Sequence, residues 1–402
     1  MKTIWFVYPY GMLPSENTQE IRYLRFGREL SKTFNCVWWT SNYSRRLNKT
    51  RPENEISVQD NLCIKIVPTT PYHKNISMGR ILFELHFSWN LKKLWKDAEK
   101  PDLIITPGTG IVTAFRPVWP YIRTRNVKAI FDMMDVHTFT SYVKEHHPFL
   151  YPAFRIFDWF NKKREKGFYK SAVGVTALGR KQLVIAKQRT GNRAIPSCLI
   201  YNSIYVDEFR KMMNNGCSIE LPEKQSDWIW CIYAGSLNPS YDIPTVVECA
   251  RKCEEENRRV LFIIVGGGEY ADLCKKSISD HLLYLGFQDS KVLPPLYAKC
   301  DVGLCTYADF STVDMPDKFY DYTAAGLAIV NSLKGESRDY VEGRRLGVQY
   351  KAGDPKDLYE KVCRFEDAEY LAECKKNSWN IGAEFDFGKQ VVKLKTLIDE
   401  II

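Results

Sequence analysis

Histidine and methionine are scarce, 6 and 8 among 402 residues, and the 12 cysteines are scattered. No Cys-x-x-Cys pair and no cysteine–histidine cluster at zinc-ligand spacing occurs, which excludes the usual structural zinc sites and thiol redox motifs. Cys249 and Cys253 stand one helical turn apart without a second ligand pair. A chain of this length needs no disulfide staples, so the cysteines are expected to be reduced, buried thiols in a cytosol. No run of about 18 residues is free of charge and turn residues. The most apolar stretch, Ile81 to Trp95, carries Glu84, Lys92 and Lys93, so no spanning helix is expected. The opening MKTIWFVYPYGMLPSE has a short apolar run broken at Pro9 and no small-residue cleavage site, and it reads as a buried strand rather than a secretory signal. A cytoplasmic chain is the expectation, and in it the Asn-x-Ser/Thr triplets at Asn42, Asn48 and Asn75 carry no glycan. Internal repeats and low-complexity tracts are absent as well.

What is present is the composition of a globular protein: 45% hydrophobic, 26% charged, 23 Gly and 19 Pro. At roughly 150 residues per domain, two lobes is the natural division. Charge is unevenly shared. Residues 1–200 hold 32 Lys and Arg against 15 Asp and Glu, while residues 201–402 hold 25 against 33, within a total of +9. A basic first half facing an acidic second points to an anionic partner for the first, or to a solvated basic surface.

Short apolar runs alternate with helical patterns in both halves. Thr3 to Tyr8, Cys36 to Thr40, Cys63 to Pro68, Leu103 to Thr106, Ala129 to Met133 and Val173 to Ala177 read as strands in the first half. Trp228 to Ala234, Val260 to Val265, Leu282 to Gly286, Val302 to Thr306 and Ala328 to Ser332 do so in the second. Between them lie helical stretches such as Glu20 to Ser31, Arg80 to Lys96 and Phe154 to Tyr169. Repeated βα units imply parallel sheets covered on both faces, hence an α/β protein of two doubly wound, Rossmann-like lobes. Asn214-Asn215-Gly216 and Leu221-Pro222-Glu223 mark a linker, which places the boundary near 215: one domain over 1–215 and another over 216–402. The last helix, about 389–402, could pack on either. Ligands of open α/β sheets sit outside the carboxyl ends of the strands, so the cleft between the lobes is the expected site. A dinucleotide-dependent dehydrogenase would need Gly-x-Gly-x-x-Gly after the first strand, where Gly11 stands alone.

The most informative segment runs from Met315 to Val330. Pro316 suits the start of a helix, Gly326 its end, and Ala328-Ile329-Val330 a buried strand. The helix start offers unpaired N–H groups, and Lys318 adds a full charge in the first turn, which together suit a diphosphate. One turn on, Asp321 could accept from ribose hydroxyls. The bland reading is a solvated helix start.

Pro316-Asp317-Lys318-Phe319-Tyr320-Asp321-Tyr322-Thr323-Ala324-Ala325-Gly326-Leu327-Ala328-Ile329-Val330 resembles the P-x-K-[LF]-x-[ED]-Y-x-A-x-G-x-P-[IV] segment of the retaining nucleotide-sugar glycosyltransferases of family 4, with the GT-B fold. Ala328 stands where that pattern has Pro. Further matches follow in the family's order: Tyr233-Ala234-Gly235-Ser236-Leu237, Ile264-Val265-Gly266-Gly267-Gly268-Glu269, Leu285-Gly286-Phe287, Cys300-Asp301-Val302-Gly303-Leu304, and Gly335-Glu336 with Gly353-Asp354-Pro355. The first lobe matches more thinly, through its opening strand, the helix from Arg22 to Leu30, Trp38-Trp39-Thr40-Ser41, Lys74 to Arg80 and Asp132-Met133-Met134-Asp135. These are similar to the branch that builds bacterial surface polysaccharides, capsule and O-antigen.

The resemblance implies transfer of a sugar from a nucleoside diphosphate sugar with retention of configuration. It places Phe287 at the base, Asp321 at the ribose and Lys318, as a catalytic cation, at the diphosphate, with Gly235, Ser236 and Gly266 also binding the donor. The Gly335-Glu336 turn would offer backbone N–H groups near sugar and phosphate. Gly11, Ser15 and Glu16, on the loop after the first strand, would face the donor, with Arg22 as a helper. As bland alternatives, Phe287 is a core aromatic and the loop merely polar. Three departures matter. Many members carry an Arg and a Lys in the stretch matching Gly235 to Asp242, which here has neither. The first of the family's paired acids falls on Val313, with Asp314 adjacent. The first-lobe histidine aligns with Met134, so Asp135 is preferred over His137 as the catalytic group there, against a structural role for it. The absence of any Asp-x-Asp pair removes the usual ligands of metal-assisted transfer; metal independence and no further cofactor are expected. Arg80 to Lys96 and Phe154 to Lys170 combine Trp with Lys and Arg, which suits peripheral docking on an anionic membrane face beside a lipid-linked or glycan acceptor, or else a core helix with solvated cations. No nucleic-acid motif occurs. A nucleotide-sugar epimerase, a phosphorylase, and an inactive homologue partnering another transferase stay open.

Overall fold

The computed structural model describes residues 1–16, 20–74, 77–107, 117–134, 149, 151–191 and 193–402, apart from the side chains of 153, 154, 156–158, 160–162 and 164. Asp135 and His137 lie outside the described residues. The chain divides into two compact units, Met1–Tyr201 with Val391–Ile402, and Asn202–Gln390.

The first unit is built on one sheet. Its strands are β1 (Thr3–Val7), β2 (Asn35–Ser41), β3 (Glu55–Gln59), β4 (Leu62–Val67), β5 (Leu103–Pro107), β6 (Lys128–Met133), β7 (Gly174–Ala177) and β8 (Ser197–Leu199). Their spatial order is β8-β7-β6-β5-β1-β2-β4-β3. All pairings are parallel except β3 with β4, a hairpin turned at Asp60-Asn61, where Asn61 takes φ 59°. Crossovers include α1 (Arg22–Leu30), α2 (Met78–Leu94), α3 (Trp119–Arg125), α4 (Tyr151–Ser171) and α5 (Arg180–Arg189). β1 and β5 are filled with apolar residues because helices cover both faces, the condition that makes buried parallel strands nearly continuous in hydrophobicity. The order reverses between β1 and β5, which defines the switch point at whose carboxyl rim such sheets bind ligands.

The second unit repeats the scheme with β9 (Ile229–Ala234), β10 (Val260–Val265), β11 (Leu282–Tyr284), β12 (Val302–Cys305), β13 (Ala328–Asn331) and β14 (Gly347–Gln349). They are all parallel, in the order β11-β10-β9-β12-β13-β14, a Rossmann arrangement with its switch point between β9 and β12. The helices α6 (Val206–Met213), α7 (Ile243–Glu255), α8 (Ala271–Lys276), α9 (Leu293–Tyr297), α10 (Asp317–Ala325), α11 (Glu336–Gly343), α12 (Pro355–Cys363) and α13 (Ala368–Glu384) cover it. Both units thus have the doubly wound α/β form.

The division falls at 201/202 rather than near 215, because α6 packs in the second unit. Arg210 donates to the carbonyls of Ala324 at 3.0 Å and Trp379 at 2.6 Å, with its guanidinium 3.4 Å from the Trp379 ring centroid. The closing helix α14 (Phe387–Ile401) ends in the first unit, where Lys2 and Lys128 donate to the carbonyls of Ile402 and Ile401. Four of the cysteines, Cys63, Cys198, Cys217 and Cys363, are half-buried rather than buried, and all 12 are free thiols.

Candidate functional site

In the second unit the switch point is assembled around the end of β9. The chain leaves the strand at Gly235, whose N–H donates to Val265 at 2.9 Å, and Leu237 N–H donates to Gly267 at 2.9 Å, so the loops after β9 and β10 are laced backbone to backbone. A Cβ on Gly266 would lie 1.8 Å from the Gly235 carbonyl oxygen, at φ +143°, so only glycine fits. Asp242, at the end of the first loop, accepts from Tyr350 Oη and the Gly353 N–H, both at 2.8 Å. The Gly353-Asp354-Pro355 segment is therefore structural, holding that loop in place.

Helix α10 starts beside this loop. Pro316 occupies its N-cap with extended backbone, its carbonyl accepts from Phe319 N–H at 3.0 Å, and no side chain caps the helix among the described residues. Gly326 closes it in the left-handed conformation. Lys318, in the first turn, points its ammonium into a cage of three tyrosines, with Nζ 4.3 Å from the Tyr241 ring centroid, 4.9 Å from Tyr233 and 5.4 Å from Tyr307. The cage is held firmly: Tyr233 Oη donates to the Ser236 carbonyl at 2.6 Å, and Ala308 N–H donates to Ser240 at 3.1 Å. Nζ lies within 2.6 Å of where a Gly235 Cβ would be, so ammonium and glycine loop share one space. No hydrogen bond or ion pair engages this ammonium among the described residues. Burial lowers its pKa, and Cys305, Asp317 and Asp321 offset this only in part. One turn on, burial and the charge of Asp317 push the Asp321 carboxyl up to about 7 against the pull of Lys318. The site thus holds a cation with no ion-pair partner among the described residues in the first turn of a helix, with an acid of near-neutral pKa behind it.

Two further candidate segments lie nearby. Phe287, after the turn at Gly286, is no core aromatic: it is 80% exposed, while the Gly286 carbonyl accepts from Gly266 N–H at 2.7 Å and brings that turn to the glycine loop. At Gly335-Glu336 the backbone donors are partly spent. Asp314 Oδ1 accepts from Glu336 N–H at 3.1 Å and the Asp314 carbonyl from Ser337 N–H at 3.1 Å, so Asp314 caps α11, and the Glu336 side chain is buried.

The first unit gathers its own set. Gly11, Ser15 and Glu16 share the loop after β1. Both Glu16 oxygens are taken, by Arg51 Nε at 2.9 Å, Arg51 Nη2 at 2.8 Å and Leu13 N–H at 2.7 Å, and Arg51 also donates to the Gly11 carbonyl at 2.7 Å. Glu16 therefore braces the loop, whereas Ser15 is exposed. Arg22, buried at the start of α1, lies 3.4 Å from Asp132 and donates to the Ile200 carbonyl at 3.3 Å, with Nη1 unpartnered among the described residues. Asp132, near the end of β6, also accepts from Tyr23 Oη at 2.9 Å and Thr176 Oγ1 at 2.8 Å.

Sequence reasoning missed the tyrosine cage, the Asp314 cap and the Asp132 hub. Tyr233 lies in β9, and Tyr241 and Tyr307 follow β9 and β12, neighbours in space but distant in sequence; their signal was an aromatic residue at or after each strand end.

Residues 229–367 match the family model described as glycosyl transferases group 1. No functionally curated protein matches the chain by sequence. Among solved structures, sucrose-phosphate synthase from Thermosynechococcus elongatus superposes with a TM-score of 0.71 at 14% identity, over 100% of this chain and 99% of that one. HepE from Anabaena, solved in complex with UDP, gives 0.67 at 14% identity over 100% of both chains. WaaG, a glycosyltransferase involved in lipopolysaccharide biosynthesis, gives 0.63 at 13% identity over 99% of both. At such identities the likeness is one of fold, and the fold is GT-B.

Proposed function

We propose that this chain is a glycosyltransferase that moves a sugar from a nucleoside diphosphate sugar to the hydroxyl of a lipid-linked or glycan acceptor in bacterial surface polysaccharide synthesis, with retention at the anomeric carbon. The observation that carries the reading is the Lys318 ammonium, held among three tyrosine rings and in no ion pair among the described residues, in the first turn of α10, which no side chain caps among them. A cation so placed needs an anion, and the match over residues 229–367 falls on the same elements.

In the proposed reaction the bond between the anomeric carbon and the diphosphate oxygen breaks while the acceptor oxygen attacks the same face. The departing diphosphate oxygen takes the acceptor proton, so no protein base is required. Lys318 and the N–H groups of α10 take up the charge developing on the diphosphate. Asp321, as carboxylate, accepts from the ribose hydroxyls, and Phe287 with Gly286 borders the base. Gly11 and Ser15 belong to the donor side of the first unit, with Arg22, held at Asp132, as a helper. Asp135, outside the described residues, is assigned to the reacting sugar. The diphosphate charge is met by protein groups alone, and the reading includes no metal and no further cofactor.

The test is a thermal-shift panel of UDP, GDP, ADP, dTDP and CMP with EDTA present. One nucleotide should raise the melting temperature of the wild type and leave Lys318→Ala unmoved. Absence of any shift would favour an inactive homologue that partners another transferase. A nucleotide sugar consumed without acceptor would favour an epimerase.

A further inference from the structure

One rim of the first unit carries exposed apolar side chains among cations of a single sign. A two-stranded ribbon pairs Tyr43 and Ser44 with Thr50 and Lys49. It is fastened to the segment 71–74 and to the start of α2: Tyr43 Oη donates to the Tyr72 carbonyl at 3.0 Å, Arg45 Nε donates to the His73 carbonyl at 3.2 Å, and the Tyr72 ring packs between those of Tyr43 and Phe83 at 5.8 and 4.9 Å. The surface formed on this support exposes Arg45, Arg46, Leu47, Lys49 and Lys74. Neither 43–50 nor 71–83 contains an acidic residue.

Helix α2 extends the surface. Its inner face buries Phe83, Phe87 and Leu91, as a helix on a sheet requires. Its outer face is apolar too: Met78, Leu82 and Trp89 are 67%, 49% and 59% exposed. Their spacing of four and seven residues sets them on one stripe about 16 Å long, with the Lys93 ammonium 3.3 Å over the Trp89 ring. The core explains the first apolar face and not the second. Large exposed apolar side chains bordered by Lys and Arg are the composition of a helix that lies in a membrane interface.

We propose that this rim, residues 43–50 with the outer face of α2, docks on an anionic phospholipid surface. Leu47, Met78, Leu82 and Trp89 enter the headgroup boundary, and Arg46, Lys49 and Lys74 meet the lipid phosphates. Four exposed apolar side chains gain nothing from a soluble polyanion, whereas an anionic bilayer rewards both the apolar and the basic members. The place is apt. The ribbon follows β2 and α2 follows β4, at the carboxyl ends of the strands. Arg80 Nε donates to Tyr10 Oη at 3.2 Å and Arg51 to the Gly11 carbonyl at 2.7 Å, so the rim is continuous with the loop after β1. This deepens the lipid-linked acceptor reading, on which its purpose, though not its binding, rests.

The experiment is co-sedimentation of the full chain with phosphatidylcholine vesicles, with and without added phosphatidylglycerol. The wild type should sediment only with the anionic vesicles. Arg46→Gln/Lys49→Gln/Lys74→Gln should weaken this about 10²-fold, from about fivefold per basic side chain at the surface. Leu47→Ser/Met78→Ser should weaken it about tenfold or more. Both variants should keep the wild-type melting temperature, since these side chains are exposed. No sedimentation, or variants that sediment like the wild type, would overturn the proposal. Loss with the charge variant but not with the apolar one would overturn it in favour of a soluble polyanion such as an acidic glycan. Nucleotide shifts measured on the same proteins keep the two readings apart: vesicle binding without nucleotide binding would sink the transferase and leave the docking surface standing.

Discussion

Lys318→Ala separates a catalytic cation from a packing residue by acting in opposite directions on the free and the loaded protein. In the free protein Lys318 is half-buried, its ammonium makes no ion pair among the described residues, and burial holds it below its ordinary pKa against the partial offset of Asp317 and Asp321. Its removal relieves an unfavourable desolvation, so the ligand-free melting temperature should stay level or rise, and Lys318→Met, which keeps the bulk among the tyrosines, should show this more cleanly. In the loaded protein a phosphate oxygen about 4 Å from Nζ gains about 4 kcal/mol at an effective dielectric constant near 20. Displaced water returns part of that, and loss of one such stabiliser lowers kcat/KM by about 10²–10³-fold. The assays are transfer kinetics with the nucleotide sugar identified in the panel, and the melting temperature with and without its nucleotide. A near-wild-type kcat/KM, or a variant that melts lower while keeping its nucleotide shift, would show Lys318 to be filler among tyrosine rings.

Asp321→Asn should stabilise the ligand-free protein more near pH 8 than near pH 4. The carboxyl is pushed from 3.8 to about 7 on folding, so the folded state holds the proton that the unfolded state releases, and wild-type stability falls as pH rises through that window, by up to about 4 kcal/mol. The same variant should weaken nucleotide binding at alkaline pH, where the wild type presents the carboxylate, as a titration at several pH values would read. Gly266→Ala should cost about 2–4 kcal/mol in denaturant unfolding, from positive φ and a Cβ driven into the Gly235 carbonyl. An unchanged midpoint would mean that the two glycine loops are not laced as described. Asp132→Asn should cost about 3–5 kcal/mol by the same measurement, since it leaves the buried Arg22 without its carboxylate. Phe287→Ala should leave the melting temperature unchanged, as an 80% exposed ring predicts, and raise the nucleotide Kd by about tenfold if the ring borders the base.

Strands buried on both faces announce themselves by composition, which is why β1, β2, β9 and β10 could be read directly as apolar runs. The unread strands, β3, β8 and β14, are all sheet edges. An edge strand is half exposed and pairs on one side only, so Ser197–Leu199 and Gly347–Gln349 need little hydrophobicity and show little. The misplaced boundary has a related cause. Asn214-Asn215-Gly216 has the chemistry of a linker, but what assigns α6 to the second unit is Arg210 reaching Ala324 and Trp379, contacts that no local pattern reveals.

The candidate site was legible to the extent that it is local. Pro316, Lys318, Asp321 and Gly326 sit on one short helix, so sequence spacing fixes their geometry. What surrounds Lys318 is set by the β9–β12 pairing and could not be read from spacing. That surrounding bears on the proposed diphosphate role. Across Gly235 to Asp242, where the family resemblance calls for an Arg and a Lys, the chain supplies Tyr241, whose ring lies 4.3 Å from the Lys318 ammonium. The cation reaches the end of β9 from α10 instead, with Nζ 2.6 Å from the place a Gly235 side chain would take. A carboxylate could have positioned that ammonium, but it would have neutralised it. Three aromatic faces hold it by their quadrupoles and offset part of the cost of its burial, while leaving its charge and its hydrogen-bond donors unspent. On this argument Tyr241→Leu should loosen the ammonium and raise the nucleotide Kd, while Tyr241→Phe, which keeps the ring and loses only the hydroxyl, should bind as the wild type does.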